Sequence, residues 1–361
     1  MIDHLKKIDW IMFASVFLIF GIGLLSIYSY SLGKDDFAYF NKQIIFFAIA
    51  IFMAFMASFF DWRFFRQNPY FILVAYFICV ILLAGLFFLA PETRGIKGWY
   101  KFGFSSLDPI EPMKIILTIL LAKYFSMRHI EMYKLRHIFL SCLYTLLPTI
   151  LIFFQPNFGS AMILVALWIG ILIISGIKLR HFLILCLVMI LTLSVAWLFL
   201  LKDYQKSRMI SFFAPQAEPL GMGWNQTQAK IAIGSGGLLG KGFTNGSQSV
   251  YGFLPESHTD FIFSAIAEEF GFVGISVLLI LFLVLLWRII RICFLAESNF
   301  PRLFASGIAI ILFFHIVINV GMNLGVLPVI GISLPLVSYG GSNLVFFCIG
   351  IGILQSIKTH G

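Results

Sequence analysis

Charge is what this sequence has least of. Asp, Glu, Lys and Arg make up 11% of the 361 residues, against about 25% in a typical soluble domain, so the chain lacks the polar surface such a domain needs. Cysteine is sparse as well. Cys79, Cys142, Cys186, Cys293 and Cys348 all lie within or beside apolar runs, with no paired spacing, which excludes a disulfide framework and a zinc site of the usual kind. Acidic residues are fewer than basic ones, 16 against 25, giving a net charge of +9. The cations are dispersed through short loops, and no soluble basic domain is present to engage nucleic acid. A nucleotide-binding loop is missing too. Ile231 to Gly242 contains Gly240-Lys241, but Ser235 stands where that motif needs glycine and Gly242 where it needs Ser or Thr.

Apolar sequence fills the remainder. Hydrophobic residues reach 60% and the mean hydropathy is +0.99, which indicates an all-α polytopic membrane protein forming one domain over residues 1–361. At roughly 20 residues per crossing, the expected spans are about 10–30, 43–60, 70–90, 111–126, 138–154, 160–176, 182–201, 260–287, 303–322 and 334–356. The first follows Lys6 and Lys7 without a cleavage site, so it is read as a retained helix. Ten crossings put both termini on one side. Lys6, Arg63, Arg66, Arg128, Lys178, Arg288, Arg291 and Lys358 mark that side as cytoplasmic. Two outer segments run against the bias: Pro91 to Asp108, with Arg94, Lys97 and Lys101, and one large extracytoplasmic loop of about 202–259, between the seventh and eighth spans, with Arg208 and Lys241. Long translocated loops tolerate charge of either sign, but together these cations suggest an anionic ligand.

Three stretches carry candidate chemistry. Glu111 and Lys114 are three residues apart at the start of the fourth span, so they share a helix face. They form either an internal salt bridge or the lining of an outer polar cavity. The glycines of 231–242 could let backbone N–H groups approach a phosphate, with Lys241 as a point charge, or could simply form a flexible loop. Glu256, Ser257, His258 and Asp260 precede the eighth span. Neighbours in sequence point apart, so no catalytic triad is read here. Asp260, expected in the first helical turn, suits a cap on the helix dipole and equally a carboxylate aimed at substrate. Glu268 and Glu269, two turns deeper, suit buried polar packing. Gln155 to Gly159 reads as a hairpin turn. The breakers from Asn319 to Ser342, among them Gly325, Pro328, Gly331 and Pro335, need protein or a cavity to cover their backbone.

Ala229 to Gly274 holds Ile-Gly-Ser-Gly-Gly, then Leu-Pro-Glu-Ser-His-Thr-Asp-Phe-Ile-Phe and Ala-Glu-Glu-Phe-Gly. With Arg94-Gly95, Pro109 to Lys114, Gln155-Pro156, Arg208 and Pro335 to Gly341, it resembles the SEDS family (shape, elongation, division and sporulation) of bacterial peptidoglycan glycosyltransferases. Gly246 to Ser249, and the lack of a long N-terminal extension, resemble the rod-elongation branch more than the division branch. The resemblance implies polymerisation of lipid II, as donor and acceptor, on the outer face of the cytoplasmic membrane, alongside a class B penicillin-binding transpeptidase. It implies Asp260 as the catalytic aspartate and Glu111 with Lys114 as the fourth-helix pair; Arg94, Lys101, Lys114, Arg208 and Lys241 are then candidates to neutralise the diphosphate, with Glu256 and His258 as further candidate substrate contacts. No metal-ligand set is read from the sequence, although a divalent cation could share the neutralisation of the diphosphate. Two positions depart from the family pattern: Asn157 replaces an aspartate, and Asp108-Pro109-Ile110-Glu111 replaces Gln-Pro-Ser-Glu. Two other functions were weighed, a lipid II flippase and a scaffold for a cell-wall enzyme. A flippase should show an inverted repeat and matching broken helices, and neither is visible.

Overall fold

Without water in the bilayer core, each backbone polar group needs a partner within the protein, and helices supply it most simply. The computed structural model describes residues 6–91, 98–103, 105–128, 135–200, 206, 212 and 222–360. Helices lie at all the expected segments: α1 (Trp10–Lys34), α2 (Ala38–Phe59), α3 (Pro69–Leu89), α4 (Ile110–Arg128), α5 (Leu135–Phe154), α6 (Phe158–Ile174) and α7 (Leu179–Val195). After α8 (Met222–Gly236) come α9 (Ile262–Leu295), α10 (Asn299–Leu324) and α11 (Gly341–His360). Among the described residues, eight helices are long and apolar enough to cross a membrane. The protein is a multi-pass membrane protein, and side chains such as Ile81, Phe139 and Leu283 leave its outer surface apolar.

Three expectations need correction. The segment read as one large loop contains α8, 15 residues of regular helix. α9 begins at Ile262, so Asp260 lies in the turn before the helix and not in its first turn. The last helix starts at Gly341 instead of near residue 334, because the glycines and prolines of 325–340 hold that stretch out of helical conformation.

Side chains stitch that non-helical stretch into the bundle. Gln43 of α2, fully buried, donates to the Ser338 carbonyl at 3.2 Å and accepts from the Gly340 N–H at 3.3 Å. The Ser338 hydroxyl donates to the Thr259 carbonyl at 2.6 Å and accepts from the Leu334 N–H at 2.8 Å. The cover that the sequence demanded is therefore present. A similar repair occurs in α5. Pro148 has no N–H for the Tyr144 carbonyl one turn earlier, and the Tyr76 hydroxyl of α3 donates to that carbonyl at 2.8 Å.

α10 packs against α4, α6, α8 and α9 and so forms the centre of the bundle. α9, at 34 residues, is about 50 Å long by helical rise. It bends at Gly271, whose φ of 66° and ψ of −162° are accessible essentially to glycine alone. The glycine-rich segment of 231–242 lies against this bend. A Cβ on Gly236 would overlap the Ala267 carbonyl, and one on Gly240 the Glu269 carbonyl. The Lys241 and Gly242 N–H groups donate to the Glu268 and Glu269 carbonyls at 2.9 and 3.1 Å. These glycines serve close packing, and their N–H groups are not arranged for a phosphate.

Candidate active site

The chemistry-bearing residues meet in a cavity of about 420 Å³ between the start of α4, the turn before α6, the turn before α9 and the 325–340 segment. A hairpin of β1 (Tyr100–Phe102) and β2 (Ser105–Leu107) adds Trp99 and Ser106 to its wall. Asp260, Glu111, Lys114 and Glu256 all line it, so two pairs of residues more than 140 positions apart in sequence share one space.

Asp260 is presented by a tight turn. Glu256, at φ 53°, accepts on its carbonyl from the Thr259 N–H at 3.1 Å and the Phe261 N–H at 3.2 Å. The Glu256 carboxylate also accepts from the Thr259 hydroxyl at 3.1 Å. From the α10 side, the amides of Asn319 and Asn323 donate to the Asp260 carbonyl at 3.0 and 3.1 Å. The opposite wall approaches at Gly331, whose Cβ, if present, would stand 3.6 Å from Asp260 Oδ2.

Lys114 is buried, and its ammonium donates to Glu111 Oε1 at 2.8 Å. It also lies 3.1 Å from His315 Nε2. His315 Nδ1 faces the Ser333 carbonyl at 3.1 Å. A carbonyl can only accept and an ammonium only donate, which sets the tautomer: Nδ1 carries the hydrogen and Nε2 presents its lone pair. Asn343 donates to Glu111 at 3.3 Å. The salt bridge and the cavity lining, alternatives in the sequence, are thus the same pair. Asp108 lines the same cavity, and its side chain accepts from the Ile110 N–H at 2.9 Å, capping α4. Burial, and then the charge of Glu111, raise its carboxyl above the ordinary range.

Other expected contacts fall elsewhere. Lys241 pairs with Glu268 at 2.8 Å and is absent from the cavity wall. The Glu268 carboxylate also takes the Gln248 and Ser249 N–H groups at 2.9 and 3.0 Å, so it anchors the segment before the Asp260 turn. Glu269 accepts from the Ser29 hydroxyl. Both acids have the buried polar role expected of them. His258 is buried among Tyr30, Tyr39 and Tyr339, with ring centroids 4.7, 4.6 and 5.9 Å away, and does not line the cavity. Lys101 is exposed on β1, outside the lining. Arg94 and Arg208 lie outside the described residues.

Comparisons with known proteins establish the family and the fold. The family of cell cycle proteins that comprises FtsW, RodA and SpoVE matches residues 7–361. This chain belongs to that family. The peptidoglycan glycosyltransferase MrdB of Escherichia coli strain K12 is 39% identical over 285 residues, covering 79% of this chain and 77% of the relative. MrdB of Helicobacter pylori is 34% identical over 358 residues, with 98% and 92% covered. Among solved structures, a chain described under the structural coordination of polymerization and crosslinking by a peptidoglycan synthase complex superposes with a TM-score of 0.83, at 30% identity and 97% coverage of both chains. RodA of Thermus thermophilus gives 0.71 at 27% identity, with 97% and 96% covered.

In this FtsW/RodA/SpoVE chain, Asn157 lines the cavity and caps α6, accepting from the Ser160 N–H at 3.2 Å. The residue read as part of a plain hairpin turn therefore reaches the site. His315 and Asn343 were passed over in the sequence reading, and Asn319 and Asn323 entered it only as members of the 319–342 stretch that needs cover. His315 carried a usable signal, since an ionisable group inside an apolar span usually faces a cavity or a partner. The asparagines carried none beyond being polar. Among the described residues, no group of three or more His, Cys, Asp or Glu side chains could hold a metal ion.

Proposed function

We propose that this peptidoglycan glycosyltransferase polymerises lipid II in the Asp260 cavity, on the outer face of the bacterial cytoplasmic membrane, during cell elongation. One observation carries the reading: Asp260 and the Glu111–Lys114 pair, far apart in sequence, line a single cavity at the helix ends. The acceptor's 4-hydroxyl attacks the donor's anomeric carbon as Asp260 takes its proton. The new glycosidic bond forms with inversion, and the bond to the polyprenyl diphosphate breaks with its electron pair going to the phosphate oxygen. A positioned general base is worth roughly 10² to 10⁴ in rate. Lys114, buried and held by Glu111 and His315, is the described cation placed to offset the leaving charge. The family likeness to a chain of a peptidoglycan synthase complex supports a crosslinking partner, a class B penicillin-binding transpeptidase. Both termini then lie in the cytoplasm.

Labelled lipid II incubated with the purified protein tests the reading. Long glycan strands are expected from the wild type and none from Asp260→Asn, with matching thermal melting curves for the two. Translocation of lipid II without strand formation would make the chain a flippase instead.

A further inference from the structure

α9 starts beside Asp260, and its far end, from Arg288 to Leu295, lines a second cavity, of about 390 Å³. No step of glycan polymerisation involves that end of the bundle. Its inner part is built around Asp9, the buried N-cap of α1. Asp9 accepts from Arg288 Nε at 2.9 Å and lies 3.4 Å from the Lys358 ammonium. One carboxylate thus serves two cations. The outer part holds Arg63, Arg66 and Arg291, all exposed. Arg63 is 3.7 Å from Asp61, whereas Arg66 and Arg291 form no ion pair among the described residues. Glu297 is the one further acid on this wall.

Dispersed cytoplasmic cations need no more explanation than membrane orientation. These five are not dispersed, because they converge from several separate helix ends onto one concave space. Trp62 lines the same space, and its buried indole N–H has no acceptor among the described residues. The rim gives the ligand its second property. Leu295 lines the cavity yet is 69% exposed, and Phe294 beside it is 82% exposed. The guanidinium groups of Arg288 and Arg291 lie 5.5 and 5.9 Å from the ring of the outward-facing Trp287. Aromatic rings at this level mark the interface between headgroups and acyl chains. A group that is anionic at one end and apolar at the other satisfies both.

We propose that this cavity binds the phosphate headgroup of an anionic phospholipid in the cytoplasmic leaflet, with the acyl chains running over Leu295 and Phe294. Basic pockets between membrane helices hold such headgroups elsewhere, each cation contributing about fivefold in affinity. The shared chemistry is a phosphate anion, and the lipid-facing rim selects the lipid over a free phosphate.

Native mass spectrometry of the full-length protein, titrated with phosphatidylglycerol and with phosphatidylcholine, tests this. The wild type should retain phosphatidylglycerol at least tenfold better. Arg66→Gln/Arg291→Gln, which breaks no described ion pair, should reduce that retention about 30-fold without altering melting. Arg66→Gln alone should reduce it about fivefold, which keeps a readout if the double variant folds poorly. Equal retention of the two lipids by the wild type, or unchanged retention in well-folded variants, overturns the site. Displacement of phosphatidylglycerol by equimolar inorganic phosphate overturns the lipid assignment and makes the ligand a soluble phosphate.

Discussion

The side-chain amide of Asn319 donates to the backbone carbonyl of Asp260 at 3.0 Å, and the same nitrogen reaches the carbonyl of Ile332 at 2.7 Å. One buried amide on α10 therefore ties the Asp260 turn to the opposite wall of the cavity. Asn319→Ala leaves these carbonyls short of a donor in a buried setting, a cost of about 1–3 kcal/mol. Asn323 still holds Asp260 at 3.1 Å, so the protein should fold with a lowered melting temperature. The strand-forming rate should fall by more than tenfold even at a temperature where the variant is fully folded, because Asp260 loses its fixed position. A rate that simply followed the folded fraction would count against this positioning role.

The apolar segments were legible because a bilayer imposes one length and one composition on any helix that crosses it. Glu111 and Lys114 were legible for the same reason, being ionisable at a span's edge. What could not be read was convergence. Nothing in the sequence places Asn157 in one cavity with Asp260, or pairs Asp9 with Arg288, 279 residues away. The Glu268 partner of Lys241 could not be read because a cation in a glycine-rich loop has the same local pattern whether it meets a phosphate or a buried carboxylate. Only the fold brings Glu268 to it.

That pairing gives the second prediction. Glu268 is fully buried and accepts from Lys241, two backbone N–H groups and the Ser249 hydroxyl. Glu268→Gln removes the charge and substitutes donors where acceptors are needed. Destabilisation of about 2–4 kcal/mol is expected from this loss of buried, charge-assisted bonds, together with faster protease cleavage between residues 237 and 259. Lys241→Met should leave the apparent affinity for lipid II within about twofold, since its ammonium is engaged outside the cavity. A large rise in the lipid II concentration needed for half-maximal rate would restore Lys241 as a substrate contact.

Asp108 supplies a prediction in pH. Burial and the neighbouring Glu111 raise its pKa in the folded protein above the ordinary carboxylate value. The folded state therefore holds this proton more tightly than the unfolded chain does. Its stabilising contribution is full below the unfolded pKa, near 4, and is lost as pH rises through the higher folded value. Asp108→Asn removes the titration while keeping an oxygen for the Ile110 N–H. Between pH 5 and pH 8 the stability of the wild type should fall relative to this variant, by on the order of 1 kcal/mol. Parallel melting curves across that range would show that Asp108 ionises in the fold as it does in water.

Glu111 and Lys114 separate structure from chemistry. Lys114 is buried and Glu111 largely so, with side-chain exposures of 3% and 13%, so removing one partner deprives the other of its ion pair: Glu111→Gln leaves the ammonium with its His315 contact and only the weaker pull of Asp108. That should cost about 3 kcal/mol and lower activity as well. The double variant Glu111→Gln/Lys114→Met has no stranded charge, and substituting a buried pair with uncharged residues of similar volume is often neutral. Its melting temperature should recover most of the loss. Its polymerase activity should not recover, because the cavity then lacks the lysine proposed to offset the diphosphate's charge. Recovery of both would reduce the pair to an internal brace of α4, and recovery of neither would leave its structural share unmeasured until the single Lys114→Met variant, expected to be the least active of the three relative to its stability, is compared with them.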